Sequence, residues 1–177
     1  MNFPLSLSRM DDSSEIFDVV DSEDRVVGQA TRGEVHAQGL LHRSVHILVF
    51  NSKGDLFLQK RAMTKDENPG YWDSSAAGHV NTGEDYLTSA HRELQEELGI
   101  TGELEFFMKF PASRETLWEH VKSYLCTTDR EIIINPREIS EGRFWPVLEL
   151  EKARQSHPSQ FTSTFHLIFD NYLKSKG

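Results

Sequence analysis

The chain has 177 residues, 37% of them hydrophobic, with 19 Lys and Arg against 28 Asp and Glu, a formal net charge of −9. A length in the ordinary range of about 100 to 200 residues per domain can bury one core without disulfides or a structural metal. An acidic chain lacks the basic footprint that holds nucleic-acid phosphates, and no run of about 18 apolar residues offers a membrane span. No nucleic acid, no membrane and a cytoplasmic location are therefore expected. Cys126 is the lone cysteine, so no internal disulfide forms.

In chain order, residues 1–14 read as an N-terminal tail and 15–177 as a single domain. Seven acids and no base lie between Arg9 and Arg25, the composition of a solvated edge. Alternation and β-branching predict strands over 16–20 and 26–30, then a short helical or turn segment over 31–36. The run SVHILVFN (44–51) reads as a buried strand, and turn residues 52–55 join it to the alternating 56–61 as a hairpin. Pro69 and Gly70 precede a strand over 71–77. Further strands are expected over 104–110, 120–127, 131–134 and 142–145, and a C-terminal helix over 159–174.

The clearest helix spans 84–98. Leu87, Ala90, His91, Leu94 and Leu98 form an apolar stripe, Thr82 and Asp85 resemble a capping box, and Gly99 suits the position after the helix end. Glu93, Glu96 and Glu97 fall at i, i+3 and i+4, where like charges destabilise an isolated helix by about 0.2 to 0.5 kcal/mol per pair. Either solvent screens them or a divalent cation sits between them. Mg²⁺ favours hard oxygen ligands, commonly one or two carboxylates together with substrate phosphates.

The whole run GHVNTGEDYLTSAHRELQEELGI (78–100) narrows the choice. Gly78, Glu84, Arg92-Glu93-Leu94, Glu96-Glu97 and Gly99-Ile100 match, at the same spacing, the fixed positions of the Nudix box, and the chain resembles a Nudix protein. That resemblance implies an α/β fold, the Nudix α/β/α sandwich with a mixed central sheet, and a loop-helix-loop that holds Mg²⁺ or Mn²⁺ against a diphosphate. It also implies metal ligands at Glu93, Glu97, Glu96 and the Gly78 carbonyl, with Arg92 and Glu84 orienting the carboxylates. Glu138 and Glu141, outside the box, stay open as general bases.

A second resemblance lies in LLHRSVHILVFN (40–51), LFLQKRAMTK (56–65), NPGYW (68–72) and AGH (77–79), which look like the isopentenyl-diphosphate isomerase branch of the same superfamily. The branch implies basic residues on the diphosphate at Arg61 and Lys65, with Arg43 a further candidate. It also implies metal-binding histidines at His42 and His79, with His36 spaced one residue short of the pattern. Two departures matter. The isomerase cysteine that moves the alkene proton is replaced by Ala77, which has no proton to give, and the isomerase acidic pair aligns poorly with Glu119-His120.

The resulting expectation is a hydrolase that cleaves a phosphoanhydride of a nucleoside diphosphate or its derivative, with a small-molecule diphosphate as partner. Tyr71, Trp72, Phe107 and Trp118 are candidates for stacking on a base, although core packing is the commoner role of such rings. The alternatives are an isopentenyl-diphosphate isomerase and a non-catalytic sensor of a diphosphate ligand. An exposed edge strand leaves a homodimer open.

Overall fold

The computed structural model describes residues 13–177, so the N-terminal tail expected over 1–14 lies almost wholly outside the described residues. An antiparallel ribbon, β1 (Ile16–Val20) and β2 (Val26–Thr31), comes first. Thr31 then caps α1 (Arg32–Gln38) in a capping box with Glu34, and Gly39, at φ 63°, ends the helix.

The main sheet is built around β3 (His42–Phe50), whose whole length pairs in parallel with β8 (Glu119–Thr127). On its other edge β3 pairs with β4 (Leu56–Arg61) at only two positions, Val49 with Phe57 and Phe50 with Leu56. Beyond that point the two strands diverge. The expected single strand over 71–77 is divided to fill the fork: β5 (Trp72–Asp73) pairs with β4, and β6 (Ala76–His79) pairs with β3. One hydroxyl closes the apex, since Ser75 Oγ accepts the Val49 N–H and donates to the Phe57 carbonyl. Such a bond gives the backbone groups freed by the divergence their obligatory partners. β7 (Glu105–Phe110) extends the sheet beyond β8, and β9 (Ile139–Trp145) extends it beyond β4.

Period-2 alternation along β3 divides the core. Val45, Ile47 and Val49 face α2 (Tyr86–Leu98), while Leu48 and Phe50 face α3 (Val147–Ser156) and α4 (Ser163–Lys176). The result is the expected sandwich with a mixed central sheet. No helix among the described residues is long and apolar enough to cross a membrane.

Several expectations need correction. Segment 131–134 is not a strand: Ile133 N donates to the Leu98 carbonyl and Asn135 N to the Glu97 carbonyl, so the run closes the C-terminal end of α2 instead of joining the sheet. The C-terminal helix begins at Ser163, behind a 3₁₀ turn, Pro158–Gln160. α3 went unpredicted because its only buried side chain is Leu150.

Candidate active site

α2 starts three residues later than a Thr82 cap would set it. Asp85 is the N-cap, accepting from Thr88 N at 2.7 Å, while the Thr82 hydroxyl donates to Asp18. The buried line is consequently Tyr86, Ala90, Leu94 and Leu98 at i, i+4 spacing, and Leu87 and His91 turn outward. Fully burying Leu94 and Leu98 contributes about 1.5 to 3 kcal/mol each, which anchors the helix on the sheet. Glu93 and Glu97 follow Ala90 and Leu94 by three residues, so they flank that line and point toward β6.

Arg92 offsets the repulsion among the glutamates. Its guanidinium donates to Glu84 Oε1 and Oε2 at 3.0 Å, to Glu93 Oε1 at 2.7 Å and to the His79 carbonyl at 3.1 Å, and it reaches Glu96 at 3.4 Å. Burial pulls the Arg92 pKa down, but Glu84 and Glu93 outweigh it and the net shift is upward. Burial also raises Glu84, yet the bonds from Arg92 and Ser89 win and hold its carboxyl below the ordinary range. Glu84 thus stays charged as the clamp on Arg92.

Glu93 and Glu97 behave oppositely. Burial, reinforced by the charge of Glu97, pushes Glu93 well above the usual carboxylate range. Burial raises Glu97 to about 7 even though the Ala77 N–H donates to its Oε1 at 2.7 Å. Gln59, which sequence reasoning missed, donates to both Glu97 oxygens at 3.3 Å. A Cβ on Gly78 would stand 2.1 Å from the Glu93 carboxyl carbon, so only glycine permits this approach. Two adjacent carboxylates, one buried and one partly buried, that resist ionising together form a donor set of the kind a hard divalent cation satisfies.

A cavity of ≈ 720 Å³ adjoins these carboxylates and is also lined by Arg61, Lys65 and Glu138. Arg61 Nε donates to the Glu67 carbonyl at 2.9 Å, and Lys65 pairs with Glu138. Glu141 does not line the cavity and lies near Lys60 on β9. The Arg43 candidate is corrected: its guanidinium is bound by Asp24 at 2.6 Å and covers the Tyr86 ring, and the side chain does not line the cavity. Next to His42 and Ser44 on β3, alternation sends it to the opposite face.

On the other face of β6 a second cluster forms. The ligand atoms of His36, His42 and His79 lie within 4.8 Å of one another, and Glu67, His79 and Glu119 form an overlapping set. Register explains the convergence, because His42 is the parallel partner of Glu119 and Ser44 the antiparallel partner of His79. Glu119 Oε1 accepts from His79 Nε2 at 2.8 Å and lies 3.3 Å from His42 Nε2. Burial favours the neutral acid at Glu119, but the two imidazoles outweigh it and its pKa falls well below the ordinary value. Burial lowers His79 to about 4, and Arg32 Nη1 at 3.2 Å from His79 Nδ1 makes that nitrogen an acceptor. Burial also opposes charge on His42, yet Glu119 outweighs it and raises the pKa. Among the described residues, His36 Nε2 and His42 Nε2 are buried without a hydrogen-bond partner. Orphaned imidazole nitrogens beside a carboxylate fit a transition-metal cation.

Glu119 was legible only as a misaligned acid, and Glu67 and Arg32 not at all. The one available signal was an acid at the first position of β8, ahead of the apolar Val121, Tyr124, Leu125 and Cys126. Among the aromatic candidates, Trp72 is core, Phe107 packs against the α4-side core, and Trp118 lines a separate cavity of ≈ 130 Å³ beside His36 and His42.

The α2 carboxylates and the side chains of Arg61 and Lys65 line one cavity of an α/β/α sandwich. Residues 40–165 match the NUDIX domain, and the chain belongs to the Nudix hydrolase family. It is 43% identical over 147 residues to an uncharacterized Nudix hydrolase of Pseudomonas aeruginosa, covering 80% of this chain and 85% of that one. It is 36% identical over 163 residues to isopentenyl-diphosphate Delta-isomerase 2 of Photorhabdus laumondii, covering 88% and 91%. A crystal structure from Deinococcus radiodurans aligns with TM-score 0.71 and 28% identity over 80% of this chain and 90% of that one. The NUDIX domain of Shewanella oneidensis NrtR, solved with ADP ribose, shares the fold at TM-score 0.63 and 13% identity, over 84% of this chain and 100% of that one.

Proposed function

We propose that this Nudix hydrolase cleaves a phosphoanhydride bond of a nucleoside diphosphate or nucleoside diphosphate derivative, using Mg²⁺ or Mn²⁺. The observation that carries the reading is the pair of carboxylates, Glu97 buried and Glu93 partly buried, on the cavity that also holds Arg61 and Lys65. Glu93, Glu97, Glu96 and the Gly78 carbonyl would hold the cation. When bound, it neutralises charge on the diphosphate and lowers the pKa of the attacking water. Arg61 and Lys65 grip phosphate oxygens, and Arg92 with Glu84 keeps the glutamates oriented. Glu138, which lines the cavity and accepts from Lys65 Nζ, would take the proton from water. His36, His42, His79 and Glu119 would hold a second cation.

The isomerase reading is favoured by the relatives that bear that name at 33–36% identity. Against it stand Ala77 at the position of the transferring thiol and Cys126, which is buried in the α2-side core away from the cavity. Purified protein incubated with nucleoside diphosphates, nucleotide sugars, dinucleotides and isopentenyl diphosphate, with Mg²⁺ or EDTA, separates the readings. Metal-dependent release of phosphate or nucleoside monophosphate is expected, and Glu97→Gln should lose more than about 100-fold in kcat, beyond the 10–100-fold range for groups that merely support a ligand. Conversion to dimethylallyl diphosphate would sink the hydrolase reading. Tight binding without turnover would favour the sensor.

A further inference from the structure

Beyond the carboxylates and cations, the cavity is lined by Ser44, His46, Asp73, Thr162, Thr164 and Leu117. Among the described residues, only Ala77 and Leu117 bring apolar side chains to the lining, and no Phe, Tyr or Trp reaches it. A prenyl chain placed here would desolvate polar groups without pairing them. A nucleobase would find no aromatic ring to stack on apart from imidazoles.

His46 and Ser44 are built for hydrogen bonding and are incompletely used. Ser44 is 3% exposed and its buried Oγ has no hydrogen-bond partner among the described residues. His46 is 5% exposed; its Nδ1 meets Ser74 Oγ at 2.9 Å, and among the described residues no group bonds its Nε2. Behind it the wall is rigid, because Asp73 Oδ1 accepts from Thr162 Oγ1 at 2.9 Å and from Ser74 N at 2.8 Å. β-pairing sets His46 opposite Ala77 and Ser44 opposite His79, so both hydrogen-bonding groups border the reaction centre. Burial keeps the imidazole toward its neutral form, which presents one donor and one acceptor nitrogen. Whichever of the two Nε2 is, a hydroxyl can pair with it and a methylene cannot.

We propose that Ser44 and His46 form the subsite for the organic group beyond the diphosphate, and that this group is hydroxylated, a sugar or polyol. The assignment rests on the phosphoanhydride reading above and specifies its substrate class. A site that hydrogen-bonds a substrate hydroxyl discriminates strongly against an analogue lacking it. The test compares a nucleoside diphosphate hexose with the matching cyclohexyl ester, which has the same ring size and no hydroxyls, in the wild type, His46→Leu and His46→Gln. Wild type should prefer the hexose in kcat/KM by at least about tenfold. The preference should collapse toward unity in His46→Leu, with fold checked by circular dichroism, and should be largely restored in His46→Gln. Equal handling by the wild type, or an unchanged preference in folded His46→Leu, would overturn the assignment. If neither ester is cleaved, the phosphoanhydride reading fails separately, and calorimetric binding with Mg²⁺ then decides the subsite. Hexose binding at least about tenfold tighter upholds it; equal affinity overturns it.

Discussion

On the α2 side of β6, Glu93, Glu96 and Glu97 come from a single helix, where the Arg92 guanidinium holds Glu93 and Glu96, while Ala77 N–H and Gln59 hold Glu97. On the opposite side, His36, His42, His79 and Glu119 arrive from α1, β3, β6 and β8. The first cluster depends on helical spacing and one close approach to Gly78. The second depends on strand register and on a ribbon that lays Phe17 against His42 and His79, with ring centroids 6.0 and 4.8 Å away. Donor sets of local origin survive small shifts of packing, whereas sets of tertiary origin do not.

The contrast can be broken at Gly78. Gly78→Ala forces Glu93 from its seat, because the new Cβ would lie 2.1 Å from the carboxyl carbon. Hydrolysis should fall by about 100-fold, the scale of a 1 Å misplacement, while cation binding at the histidines persists. Activity above a tenth of wild type would refute the packing argument. His42→Gln probes the other side. It should weaken Mn²⁺ or Zn²⁺ binding at the imidazole cluster by at least about 10-fold, and lower activity less than Gly78→Ala does. Calorimetric titration showing the same number and affinity of sites as wild type would count against the cluster as a cation site.

The smallest effect lies under α2, outside both clusters. Asp24 accepts from Arg43, Lys109 and Tyr86. Burial raises its pKa, but those donors outweigh it and hold the carboxyl below the ordinary range. A folded pKa below the unfolded one gives stability that is present above about pH 4 and lost as pH falls through the folded value. Asp24→Asn keeps the left-handed backbone that Asp24 adopts at φ 65°. It should cost about 1.5 to 3 kcal/mol at pH 7, with the gap to wild type closing in acid and turnover unchanged. A pH-independent gap in chemical denaturation would reject the ion-pair account.

Legibility followed the same division. Glu84, Arg92, Glu93, Glu96 and Glu97 could be singled out because they match the fixed positions of the Nudix box within one run of sequence. His36 was the weakest of the histidines on spacing, yet the left-handed turn at Gly39 brings α1 back over β3 and places the ring 5.6 Å from His42 and 5.4 Å from His79. Arg43 failed as a phosphate ligand for a complementary reason: one step along β3 reverses the face. The forked strands also escaped, because turn and alternation signals do not say where a hairpin opens.

What the sequence determined by itself was the family, the sandwich and the α2 carboxylates, all of them written in local spacing. The −9 charge that first only excluded partners proves to include the buried acids of this site. Only the tertiary structure decided which face each β3 residue takes, that Glu119 joins the histidines, and that Ser44 and His46 line a polar wall. Those relations are set by strand register and by a fork closed on Ser75, and contacts between residues far apart in the chain leave no periodic trace in it.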